Sequence, residues 1–242
     1  MSTKDRPSAG RNVSDAVLDF RQVTVEGGHP YDTAIWQISF RLGRSELMLL
    51  RLEAGHLCLP LADVAQGMVE PIEGSVSFLG ERWSALSDEA RLAARARIGR
   101  VFDEPGWISD LDMDENITLS QRHHTRRTEA AIRDEASELA RRFSLPGLPQ
   151  GKPSDMRAPD LRRAACVRAF LGQPELLILE RPTAGVYPEI MPALMASVRA
   201  ARSRGAAVLW TTDDWEVWND AGIKPTSRCA MTGSQMSILP GD

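Results

Sequence analysis

"RRAACVRAFLGQPELLILERPTAGVYP" (Arg162–Pro188) is the stretch from which the rest of the chain can be ordered. Its first part predicts a helix, with Asp160 just upstream as a candidate N-cap and Gly172 as the stop. "ELLILE" (Glu175–Glu180) then runs apolar without alternation, as a strand buried on both faces does.

Working outward, "ELMLLRL" (Glu46–Leu52) and "AAVLWTT" (Ala206–Thr212) repeat that continuous apolar signal. Ser75–Leu79 and Ile98–Phe102 predict further strands. Helices are expected from Pro60 to about Gln66 with Gly67 as the stop, over Ser87–Ala96, over Thr128–Phe143 and over Pro188–Arg204 with Gly205 closing it. In the third of these, Ile132, Ala136, Leu139 and Phe143 share one face. Val17–Val25 and Ile35–Leu42 flank "EGGHPYD" as an antiparallel pair. "SLPGLPQGKPSDMRAP" (144–159) is a Pro- and Gly-rich loop. Strands alternating with helices predict an α/β domain with a largely parallel sheet, and no internal repeat is present.

The totals agree. A chain of 242 residues suits one large domain with a sub-lobe, and 43% apolar with 26% charged residues is ordinary for a globular protein. A net charge of −4 gives no reason to expect nucleic acid as a partner. Cys58, Cys166 and Cys229 are odd in number and widely spaced, which fits a reducing cytosol and neither a disulfide framework nor a zinc site. "MSTKDRPSAGRNVSD" has no apolar core and is expected to be a flexible tail, not a signal peptide. No apolar run reaches membrane-spanning length, so any membrane role is expected through a partner.

The opening stretch, taken with "ISFRLGRSELMLLRL", "GMVEPIEGSVSFLGE", "IGRVFDEPGWISDLDMDENITL" and "VLWTTDD" in this order and spacing, resembles the ATPase subunit of ABC transporters over roughly residues 18–215. The wording of its helices is similar to the ATPase subunits of MCE-type lipid transporters. The resemblance implies an ABC-type ATPase fold with an N-terminal antiparallel part. Residues 16–102 and 160–225 would form the core lobe and 103–159 a helical sub-lobe, with tails at 1–15 and 226–242.

That resemblance also places the family's chemical motifs, and here they depart from the pattern. The phosphate loop G-x-x-x-x-G-K-[ST] falls on Leu52–Leu59: Leu52 and Leu57 stand for its glycines, Cys58 for its lysine and Leu59 for its magnesium-binding hydroxyl. Gly55 is the glycine that remains inside. Such a loop works by turning successive backbone N–H groups inward while the lysine neutralises phosphate oxygens. Leucines resist the glycine conformations, and Pro60 carries no N–H. The metal-binding and water-polarising carboxylates become Glu180 and Arg181, and a guanidinium cannot accept a proton. Asp103 stands for the family's glutamine, Asp213 for its switch histidine and Tyr187 for its interface aspartate. The signature L-S-G-G-Q falls on Met156, Arg157, Ala158, Pro159 and Asp160.

Folded in this way, the site presents Glu53, Asp103, Glu180 and Asp213 against Arg181. Two like charges at about 4 Å cost about 4 kcal/mol at an effective dielectric near 20, against about 8 kcal/mol for a micromolar affinity. Binding of ATP or magnesium is therefore not expected, nor is a metal site. An ion pair of the Glu180–Arg181 neighbourhood with Asp213 is preferred over a metal site of Glu180, Asp103 and Asp213. Cys58 is read as a small buried or half-buried residue before a reactive thiol. Trp210, Trp215 and Trp218 are read as packing, and Arg122–Arg127 as a solvated helix flank. The aromatic that stacks adenine in the family is not at position 27, and Tyr31 lies several residues on.

Three functions stay open. The first is a catalytically inactive subunit in the cytoplasm, peripheral to the inner membrane. It would dock to a permease through Asp103, Trp107, Ile108 and Leu111 and pair with another ATPase-fold chain, homo- or heterodimeric, in moving lipid or other hydrophobic cargo. The second is a scaffold or regulator that keeps the fold without nucleotide chemistry. The third is an ATPase with rebuilt motifs.

Overall fold

The computed structural model describes residues 16–53, 55–56, 58–104 and 106–239. The expected tail at 1–15 and Leu57 lie outside the described residues.

Two sheets organise the molecule. The first pairs β1 (Ala16–Val25) with β2 (Ile35–Gly43), β4 (Glu73–Phe78) and β5 (Glu81–Arg82) in the order β2-β1-β4-β5, all antiparallel. The second runs β10-β9-β3-β8-β7-β6, from β3 (Leu47–Arg51), β6 (Ile98–Val101), β7 (Leu176–Glu180), β8 (Ala207–Thr212), β9 (Ser227–Thr232) and β10 (Gln235–Leu239). Its inner pairs are parallel and only β10 reverses.

The unbroken apolar runs of β3, β7 and β8 are explained by what covers their two faces. Leu47, Leu49, Leu177, Leu179, Val208 and Trp210 face one core, shared with α3 (Met113–His124), α4 (Glu129–Arg142), α5 (Ala158–Phe170) and α6 (Met191–Ser203). Met48, Leu50, Leu176, Ile178, Ala207 and Leu209 face the other, shared with β1, β2, β4 and α1 (Leu61–Ala65). Strand side chains alternate, so a strand between two apolar layers must be apolar at every position.

Local signals account for most helix ends. Ser87 and Thr128 cap α2 (Asp88–Arg95) and α4 by accepting from the backbone N–H three residues on. Asp112 and Glu115 form a reciprocal capping box on α3. Gly67 stops α1 at φ +62, and any β-carbon there would fall 2.4 Å from the Trp83 ring. Gly99 has a different role: its missing β-carbon lets β6 approach α5, where a Cβ would sit 1.9 Å from the Ala169 carbonyl oxygen.

Some expectations need correction. Asp160 is not the cap of α5. The helix begins at Ala158 after Arg157, because Pro159 has its φ already set for a first turn, and Asp160 lies inside that turn. α6 starts at Met191, later than Pro188, since turns occupy the preceding segment. Residues 226–239 are not a tail. β9 adds to β3 in parallel and buries Cys229 and Met231 in the core, with β10 folded back along it. A short α7 (Trp215–Asn219) was also not expected.

Candidate functional site

Open α/β sheets bind ligands beyond the carboxyl ends of their parallel strands. In this chain β3, β6, β7 and β8 end together, and the charged side chains gather there.

β7 closes on Glu180, and Arg181 follows with φ +41, a left-handed backbone uncommon for a residue with a β-carbon. The consecutive side chains then serve two separate clusters. Arg181 grips Asp103 with two nitrogens, Nε to Oδ1 at 2.6 Å and Nη2 to Oδ2, and reaches Asp213 Oδ2 with Nη1 at 3.0 Å. Glu180 instead accepts from Arg100 Nε at 2.6 Å, while Arg100 Nη1 donates to Asp63 Oδ1 at 2.5 Å and to Gln66 Oε1 at 2.9 Å. Tyr31 donates to the other Asp63 oxygen at 2.8 Å. From α5, Arg162 holds the carbonyls of Phe102 and Asp103 at 2.9 and 2.7 Å.

The expected ion pair between Arg181 and Asp213 is therefore present, but the charge inventory needs correction. Glu180 is not aimed at Arg181; its partner Arg100 had not been singled out. Glu53 leaves the cluster altogether and accepts the Gly233 N–H at 2.9 Å. An arginine inside a strand as buried as "IGRV" was the available signal, since a buried guanidinium requires acceptors. The Arg100 side chain is 9% exposed and that of Glu180 15%. Burial pushes the Glu180 carboxyl above its ordinary value, with Arg100 pulling it back. For Arg181, burial is outweighed by Asp103 and Asp213, so its proton is held more tightly than usual.

The loop after β3 is tied down by its own contacts. Leu52 is buried and donates its N–H to the Thr212 carbonyl at 2.8 Å. Gly55 takes φ +101. Cys58 donates its N–H to Asp32 Oδ2 at 3.1 Å and accepts the Asp32 N–H through its carbonyl. Burial, then the Asp32 and Asp63 carboxylates, push its thiol up, which runs against an activated thiol at a helix start. Leu59 packs against the core. Leu52, Leu59, His56, Asp103, Glu180 and Arg181 line a half-open cavity of about 30 Å³.

Met156–Asp160 leads into α5. Asp160 accepts from Arg157 at 2.9 and 3.0 Å and from Arg163 at 3.0 Å. In the segment after β6, Trp107 is partly buried beneath Arg168, whose guanidinium lies 4.2 Å from its ring centre, while Ile108 is 46% exposed. Asn116, another residue the sequence did not point to, shapes this loop: it bonds both the N–H and the carbonyl of Ile108 and the carbonyl of Leu111. Trp210 and Trp218 are buried as packing residues, and exposed Trp215 stacks on Arg51 at 4.8 Å. Arg122 and Arg127 pair with Glu129 and Glu135. No helix among the described residues is long and apolar enough to cross a membrane, and no group among them has the make-up of a metal site.

No family model matches the chain. It is 32% identical over 156 residues to the lipoprotein-releasing system ATP-binding protein LolD of Maricaulis maris (strain MCS10), covering 63% of this chain and 68% of LolD. The phosphonates import ATP-binding protein PhnC 2 of Synechococcus sp. (strain JA-2-3B'a(2-13)) is 26% identical over 191 residues, 76% of this chain and 71% of its own. The intermembrane phospholipid transport system ATP-binding protein MlaF of Escherichia coli (strain K12) is 24% identical over 189 residues, 77% and 69%. Among solved structures, the dimeric structure of MJ0796, a bacterial ABC transporter cassette, superposes with a TM-score of 0.78 over 93% of this chain and 100% of that one, at 18% identity. That likeness speaks for the fold.

Proposed function

The chain belongs to the ATP-binding subunits of ABC transporters, and from that premise we propose that it is a subunit without nucleotide chemistry, kept in a transport complex by docking to a membrane permease. The observation that carries this is Arg181, whose guanidinium joins Asp103 and Asp213 across the mouth of the strand crevice.

Charge and space both support it. Asp63, Asp103, Glu180 and Asp213 meet there with Arg100 and Arg181, leaving the carboxylates in excess where a polyphosphate would need cations. The half-open cavity, about 30 Å³, is far smaller than the roughly 300–1,000 Å³ of ligand pockets. The Cys58 amide, at the position matched to the phosphate-loop lysine, is already engaged by Asp32. Arg181, at the position matched to the water-polarising carboxylate, has no basic lone pair to offer.

In this reading the chain sits in the cytoplasm, held at the inner membrane by a permease that meets the Trp107–Leu111 loop, and beside a second ATPase-fold chain. Lipid or another hydrophobic cargo is proposed from the names of LolD and MlaF. Calorimetry with Mg-ATP and a phosphate-release assay test the chemistry: no saturable binding and no turnover are expected from the pure protein. Stoichiometric binding, or turnover that falls in Arg181→Ala, would show an ATPase with rebuilt motifs. Purification from native membranes tests the docking, where co-elution of a permease is expected and a lone soluble chain would leave only a scaffold.

A further inference from the structure

A second, separate pocket of about 210 Å³ opens between β6, α3 and α5. Arg95, Arg100 and Arg168 line it and no carboxylate does. Arg100 is neutralised by Asp63 and Glu180, but the other two are not so served. Arg95 gives Nε and Nη2 to the carbonyls of Gln66 and Gly67. Arg168 gives Nη1 to the Gly106 carbonyl at 3.2 Å, and its buried Nη2 has no partner among the described residues.

The neutral groups add to the same bias. Gln66 and Gln121 also line the pocket, and each already accepts an arginine through its side-chain oxygen, from Arg100 at 2.9 Å and from Arg127 at 3.2 Å. Each amide keeps its NH2 group as a donor. Arg168 is held between two rings, 5.2 Å from the centre of Phe102 and 4.2 Å from that of Trp107, which fixes the plane of its fork. Burial and the neighbouring Arg100 lower its pKa to about 10, as expected of a cation without a counter-ion.

We propose that this pocket is an oxyanion-binding site, taking a carboxylate or phosphoryl group on Arg168 and Arg95. Three arginines with no carboxylate in the lining are complemented by an acceptor-only ligand, and the planar guanidinium groups of Arg168 and Arg95 suit the oxygens of one anion. The site does not depend on whether the strand crevice handles nucleotide.

The test is calorimetric titration of the full chain with sodium phosphate and, separately, with glutarate, at constant ionic strength set by sodium chloride. One equivalent of saturable binding is expected for at least one anion. Phosphate alone would assign a phosphoryl ligand, glutarate alone a carboxylate, and both a general oxyanion site. Ser120→Asp, an exposed change at the pocket, is expected to weaken binding at least tenfold by repulsion, and Arg168→Gln to do the same by removing the fork. Ser120→Asp keeps the test open if Arg168→Gln does not fold. Neither anion saturating, or unchanged binding in Ser120→Asp, would overturn the proposal.

Discussion

Arg181 and Asp103, 78 residues apart in the chain, meet in a two-nitrogen, two-oxygen clamp. Arg100 and Glu180, 80 residues apart, form a second pair alongside, and more deeply buried. Neighbours in sequence, Glu180 and Arg181, are thus partnered to different elements. Arg181 stands just past the strand end with a left-handed backbone.

Depth separates the two pairs energetically. Arg100→Leu leaves Glu180 and Asp63 without their cation, at an expected cost of about 3–5 kcal/mol in urea unfolding at pH 7. Arg181→Leu leaves Asp103 and Asp213, 27% and 41% exposed, where water can substitute, and about 1–2 kcal/mol is expected. The Arg100→Leu loss should shrink as pH falls. Burial raises the folded pKa of Glu180, so the native state gains protons before the unfolded one and is favoured by acid. Equal losses for the two variants would contradict this division.

Gly99→Ala should cost about 3 kcal/mol, because the added carbon meets the backbone of α5 and only movement of the helix can relieve it. Gly106→Ala, where a β-carbon meets nothing within 4 Å, is the matched control and should be close to neutral. Denaturation midpoints of the two variants decide the matter.

The thiols should report burial directly. Cys166 and Cys229 are fully buried, and burial pushes them up to about 12 and about 11, while Cys58 is half-buried. A disulfide reagent at pH 8 should modify Cys58 alone until denaturant is added. Above pH 9 the unfolded thiols lose protons that the native ones keep, so stability falls by about 1.4 kcal/mol per pH unit for each. Cys166→Ala should flatten that slope by one thiol's share; an unchanged slope would mean Cys166 is not held neutral.

The apolar runs around Leu47, Leu177 and Val208, the helices over Ser87–Ala96 and Thr128–Phe143 and the stops at Gly67 and Gly205 were legible because each depends on residues within a few positions. "SRCAMT" and "QMSIL" were not legible as strands: β10 is largely exposed, and β9 is defined by pairing with β3, far away in the chain. In the same way the aspartates and arginines of the candidate site could be found individually, but their pairing could not.

The sequence by itself determined the layered α/β fold and the residue types at the strand ends, because periodicity and glycine stops are local. Only the tertiary structure decided that Glu180 belongs to Arg100, that Asp103 belongs to Arg181 and that Glu53 belongs to neither. Charge pairing is a matter of distance and burial in space, and an arginine with several carboxylates within reach of its sequence has no local rule to choose among them.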